Sequence, residues 1–141
     1  MAAIHGSSAV FNLDNSSGTP TDLTSYTRDV NFQLDEAMHD TTVFGQTSHT
    51  KTTGLKDSKF TAMFVSSNTI MDHLTGLFTT QSPGSTTTWT FIFGPRGSTS
   101  GYEKFTGECI MTALPIPAVV DNIETITAQF EVTGAVSITT Y

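Results

Sequence analysis

Thr125-Ile126-Thr127-Ala128-Gln129-Phe130-Glu131-Val132-Thr133 alternates without a fault. Ile126, Ala128, Phe130 and Val132 fall on one side, and Thr125, Thr127, Gln129, Glu131 and Thr133 on the other. A two-residue period is the signature of a strand whose successive side chains point to opposite faces. One dry face and one wet face mark an antiparallel sheet that covers a core on one side only. The pattern begins near Asn122 and is expected to break at Gly134, leaving Ala135 to Thr140 as a last short strand.

The same signature recurs outward from this segment. Arg28 to Asp35 sets Val30, Phe32 and Leu34 against Asp29, Asn31, Gln33 and Asp35. Ala9 to Asp14, Lys59 to Val65, Thr86 to Phe93 and Tyr102 to Leu114 also alternate. Asn15 to Pro20 reads as a turn cluster, and Pro115 and Pro117 keep their stretch out of a central strand. One helix is expected, over about 69–79, with Ile70, Leu74, Leu77 and Phe78 as its apolar stripe. Thr69 and Asp72 are spaced as a capping box. About seven strands and one helix imply a mainly β chain, a two-sheet antiparallel β-sandwich or barrel with one flanking α-helix.

The 141 residues fit one domain, 1–141. Two segments contribute little to a core. The polar N-terminal arm, 1–8, is one. The other, about 40–58, is polar and Gly-marked, and reads as a long extended loop or projecting hairpin.

Charged residues make up only 13% of the chain, about half the usual share. Thr and Ser fill the deficit, and Thr suits a pleated surface with a polar face. The net charge is −7, and the six cations are spread out. Tight binding to nucleic acid needs clustered Lys and Arg, which this composition lacks. No basic n-region or long apolar run is expected to direct secretion or to span a membrane.

The residues that carry chemistry do not assemble into a motif. Cys109 sits in an apolar stretch with no local His to activate it. His5, His39, His49 and His73 show no metal-binding spacing, so no cofactor or metal is expected. Glu103 with Glu108, or Asp35 with Glu36, could be imagined as a carboxylate pair, but acids on wet strand faces are ordinarily solvated. There is no Gly-x-Ser-x-Gly elbow. Trp89, Phe91 and Phe93 alternate strictly and read as core rather than as a binding platform. Arg96, in Gly94-Pro95-Arg96-Gly97, reads as an exposed turn residue. The expectation is a chain that is not an enzyme. Its Thr-rich strands, with few charges to blunt sheet edges, are suited to pairing with other copies.

The order of several stretches resembles the tail tube (major tail) protein family of siphoviruses and related transfer particles. They are Asp29-Val30-Asn31-Phe32, Thr41-Thr42-Val43-Phe44-Gly45 leading into Gly54-Leu55-Lys56-Asp57, and the single mid-chain helix. Thr90-Phe91-Ile92-Phe93-Gly94-Pro95 follows, then Phe105-Thr106-Gly107-Glu108-Cys109-Ile110 and the ending Ala128 to Val136. The resemblance covers nearly the whole chain. It implies two antiparallel sheets with a helix, six-membered rings whose inner strands join into one lumen, and rings that stack. It also implies that the segment 40–58 reaches the next ring, with Phe44, Gly45, Gln46, Thr47, His49, Lys51, Gly54, Leu55 and Lys56 as its candidate contacts.

A lumen that passes double-stranded DNA must not hold phosphates, so an acidic or neutral lining suits it. Asp29, Asn31, Gln33, Asp35, Thr125, Thr127, Gln129 and Glu131 are the candidate lining; one of the two wet faces could equally be outer wall. The partners implied are other copies of the chain, with tape measure, tail terminator and distal tail proteins, and DNA only in transit. The alternatives are a tail terminator or head–tail connector that stops at one ring, and a monomeric β-sandwich decoration or binding module.

Overall fold

A computed structural model describes residues 6–118, 120 and 123–141. The chain runs through β1 (Val10–Asp14), β2 (Pro20–Asp22), β3 (Thr27–Asp40), β4 (Lys51–Val65), α1 (Asn68–Thr80), β5 (Trp89–Gly94), β6 (Glu103–Ala113) and β7 (Thr125–Thr140). A short 3-10 turn, Gly6–Ser8, precedes β1. Residues 1–5 of the expected arm, with His5, and Asn122 at the expected start of the last strand lie outside the described residues.

All seven strands form one antiparallel sheet, in the order β2-β1-β5-β6-β7-β4-β3. The two layers expected from the sequence are therefore halves of a single rolled sheet. In a flat sheet β5 and β4 would lie three intervals, about 14 Å, apart. Instead the rings of Phe91 on β5 and Phe60 on β4 meet at 4.9 Å. Phe32, on the far edge strand β3, reaches Phe105 of β6 at 5.6 Å. Inward residues of β1, β4, β5 and β7 fill the roll: Phe11, Leu13, Phe60, Phe64, Trp89, Phe91, Ile126 and Phe130 are all nearly inaccessible to solvent. Burying each such side chain contributes about 1.5–3 kcal/mol relative to exposure, which makes this aromatic core the main driving force for the fold.

β7 corrects one sequence expectation. Gly134 does not end the strand. Thr106 pairs with Ser137 and Glu108 with Thr133, so two positions on β6 face four on β7, a bulge around Gly134 at φ +82°. A residue with a Cβ is strained at such a φ, whereas glycine adopts it freely. β7 thus passes through the bulge as one long strand. β2 also departs from the expectation, beginning at Pro20 within the predicted turn cluster, where the edge position tolerates a residue without an N–H.

α1 packs Ile70, Leu74 and Leu77 into the core, while Phe78, expected in that stripe, is half exposed. Its N-cap is Ser67, not Thr69. Ser67 keeps an extended backbone, and its side chain accepts from the Ile70 amide at 3.3 Å. Ser67 is the last extended residue after β4 ends at Val65, so its hydroxyl reaches the free amides first. At the other end Gln81 ties the helix to the sheet. Its Oε1 accepts from Trp89 Nε1 at 2.9 Å and Met111 N at 2.8 Å, and its Nε2 donates to Met111 O at 2.9 Å.

Candidate assembly surface

Side chains on the outward face follow from the strand registers. Asn31, Thr61 and Gln129 form one row across β3, β4 and β7; Gln33, Lys59 and Glu131 form the next; Asp29, Met63 and Thr127 form a third. Asp35 pairs with Asp57 beyond them, and Thr125 pairs with Val65 at the other end. The two wet stretches picked out separately in the sequence therefore share one face, with β4 between them. Asp29, Asn31, Gln33, Asp35, Gln129 and Glu131 are exposed, and Thr125 and Thr127 are half-buried.

Lys59 was missed as a member of this face. The signal was available: Phe60, Ala62 and Phe64 point inward, so Lys59, Thr61 and Met63 must point outward. In the outward-facing rows of these strands Asp29, Asp35, Asp57 and Glu131 stand against the one ammonium of Lys59, which sits in the row between Gln33 and Glu131. The acidic character of the face extends onto β6. Glu108, opposite Thr133, accepts from the Thr88 and Thr90 hydroxyls at 2.9 and 2.8 Å.

The segment 40–58 is the outer part of a β3–β4 hairpin. The loop proper is 41–50, and 51–58 belongs to β4, with Asp40 opposite Lys51 and Glu36 opposite Lys56. Beyond Gln33 almost every residue of this arm is exposed, including Leu34, Met38, Val43 and Leu55; Ser58, at the root, is buried. Gly54 lies at a bulge where Glu36 and Met38 face Lys56 and Thr53. A Cβ there would come within 2.6 Å of His39 Nε2, so the glycine lets the imidazole cover the backbone.

The tip is cross-linked by its own side chains. The Asp40 carboxylate accepts the Thr42 amide at 2.8 Å and its hydroxyl at 2.5 Å, which holds the carboxyl below its ordinary pKa. Thr42 Oγ1 in turn accepts the Thr50 amide at 2.9 Å, and Gln46 Oε1 accepts the Val43 amide at 2.8 Å. His49 Nδ1 lies 3.5 Å from the Asp40 carboxylate. Gly45 and Thr47 complete the exposed turn, and the Phe44 ring projects wholly into solvent.

Where the arm leaves the sheet, β4 and β7 part beyond the Lys59–Glu131 pair. A cleft of about 860 Å³ opens between them, lined by Leu34, Ile110, Val132, Val136 and Ile138, with Asp35, Glu36, Lys56, Asp57 and Glu131 among its polar groups.

Among the described residues no three His, Cys, Asp or Glu side chains converge to hold a metal ion. Cys109 is buried, its Sγ donates to Trp89 O, and desolvation pushes its thiol pKa far up, away from the thiolate a nucleophile needs. Arg96 is paired with Glu103 and lies 5.2 Å from the Tyr102 ring. No helix among the described residues is long and apolar enough to cross a membrane.

No protein-family model matches the sequence, and no curated protein does. Solved structures do match. A chain of the tail of an empty gene transfer agent particle, determined by helical refinement in sixfold symmetry, has a TM-score of 0.75 at 15% identity, covering 97% of this chain and 99% of that one. A subunit of the SPP1 tail tube has a TM-score of 0.72 at 9% identity, covering 99% and 80%. A chain of the anti-feeding prophage baseplate follows, at 0.64 and 8% identity, covering 99% and 97%. The fold is thus shared over 97% of this chain with the gene transfer agent tail subunit and over 99% with the tail tube subunit, and the fold of this protein is that of the phage tail tube proteins.

Proposed function

We propose that the chain is a structural subunit of a viral or transfer-particle tail, which assembles with copies of itself into stacked six-membered rings that form a tube. The observation that carries this reading is the end-to-end fold match to a tail subunit, covering 97% of this chain and 99% of that one. The acidic and neutral face of β3, β4 and β7 then lines the lumen. Its carboxylates repel the phosphates of DNA in transit, so the duplex slides without being held. Lys59 does not reverse this, because Glu131 neighbours it in its row. The arm reaches the adjoining ring, and tape measure, terminator and distal tail proteins meet the ends of the tube.

Electron microscopy of the purified protein over a range of concentrations tests the reading. Tubes of uniform bore are expected. Deleting residues 46–53 should leave a folded subunit that no longer stacks. A protein that stays monomeric at every concentration, with or without tail extract as an initiator, would overturn it. The match to a baseplate chain favours one second reading, a subunit that closes a single ring and stops. Particles carrying one ring of this chain, rather than many, would decide for that.

A further inference from the structure

We infer that the cleft at the root of the arm is the receptor for the arm tip of a second copy, with Phe44 as the anchor. This deepens the assembly reading above and rests on it.

The tip has the properties of a binding element. Exposed loop tips with small polar residues are ordinarily mobile. Here Asp40, Thr42, Gln46 and Thr50 tie the turn together, so the Phe44 ring is held out on an ordered base. An anchor ordered before contact loses little further entropy on docking, and large aromatic side chains dominate interface energies.

The cleft has complementary properties. Its walls are apolar at Leu34, Ile110, Val132, Val136 and Ile138. Among the described strands nothing pairs with β4 before Lys59, or with β7 beyond Glu131, on the sides that face each other. The two ribbons therefore leave open backbone edges at the mouth of the cleft.

Charge does not oppose entry of the arm. The cleft holds Asp35, Glu36, Asp57 and Glu131 against Lys56 alone. The whole chain carries −7, yet 37–54 has one acid, Asp40, and one base, Lys51, together with His39 and His49. The arm can enter an acidic cleft that repels other parts of the same protein.

Tip and root are different patches, so the contact is heterologous and propagates from copy to copy. Successive copies point the same way, displaced by about one arm length. The strand part, from Leu34 to Asp40, spans roughly 20 Å at the rise of an extended strand, with the loop 41–50 beyond it. One tip fills much less than the ~1,200–2,000 Å² of a stable pair. The contact is weak singly and becomes firm when a ring engages the next at several points together.

The test uses Phe44→Ala, which spoils the tip, and Ile138→Asp, which spoils the cleft. Glu36→Lys at the cleft rim is a second, milder cleft variant. Circular dichroism and thermal melting first establish that each subunit is folded. Wild-type protein should form tubes. Each variant alone should need at least tenfold more protein to assemble. Rings of Phe44→Ala mixed with rings of Ile138→Asp should stop at ring pairs in sedimentation, because one ring has only working clefts and the other only working tips. If the folded cleft variants build normal tubes while Phe44→Ala does not, the tip docks elsewhere and the inference is wrong. If Phe44→Ala also builds normal tubes, Phe44 is no anchor. Wild-type protein that never assembles would instead defeat the tube reading itself, and this inference with it.

Discussion

β4 is one strand with two characters. From Lys59 to Val65 it is flanked by β3 and β7, and its side chains alternate between core and surface. From Lys51 to Asp57 it pairs with β3 alone, and no side chain there is buried. The backbone is extended throughout. What changes is the presence of a second layer to cover one face. Leu55 is 87% exposed in the outer half, while Phe60, five residues on, is 2% exposed. Large apolar side chains in the inner half serve the subunit's own stability. In the outer half they add almost nothing to it, which is how residues placed for contact with another molecule behave.

Mutation can break this contrast or sharpen it. Phe60→Ala should cost the subunit about 3–5 kcal/mol, since the ring stacks on Phe130 at 4.8 Å and its removal leaves a cavity. Urea unfolding measures this, and a loss under 1 kcal/mol would deny that the rolled core holds the fold. Gln81→Ala should cost about 2–3 kcal/mol in the same assay, by leaving the buried Trp89 N–H and the Met111 amide without acceptors.

A smaller effect is expected from pH. Burial lowers the His73 pKa from 6.5, with Asp14 partly opposing the shift. The unfolded chain therefore binds this proton more readily than the folded one, so stability is full above pH 6.5 and falls as pH drops through the folded value. His73→Gln should flatten the unfolding midpoint between pH 7.5 and 5.5; an unchanged slope would exclude this histidine as its source. Smallest of all, Leu55→Ser should alter subunit stability by under about 0.5 kcal/mol. Its effect should show only as weakened assembly, and a clear drop in melting temperature would place Leu55 with the core after all.

The inner half was legible in the sequence because alternation records which face is dry. Phe60, Ala62 and Phe64, and Ile126 to Val132, gave their strands and faces directly. The joining of the layers into one sheet was not legible, since it depends on long-range pairing such as Lys59 with Glu131. The bulge at Gly134 was read as a stop because glycine punctuates strands and bulges alike. Ser67 was passed over as a cap because Thr69 also stood at an allowed spacing. The surface face was half legible: Asp29, Asp35 and Glu131 were found, but Asp57, Glu108 and Lys59 were not assigned to it. The arm was seen as coreless, yet its Met38, Phe44 and Leu55 had no reading within one chain.

The ladder between β4 and β7 has a mechanical consequence. Its seven register pairs run from Lys59–Glu131 to Val65–Thr125, and antiparallel hydrogen bonds lie across the strand direction. A pull on the arm along β4 loads all of these bonds at once, in shear, and none can open before its neighbours. In the proposed tube the anchorage of the arm would share tension along a whole strand, so the tube could flex and recoil without drawing its subunits open.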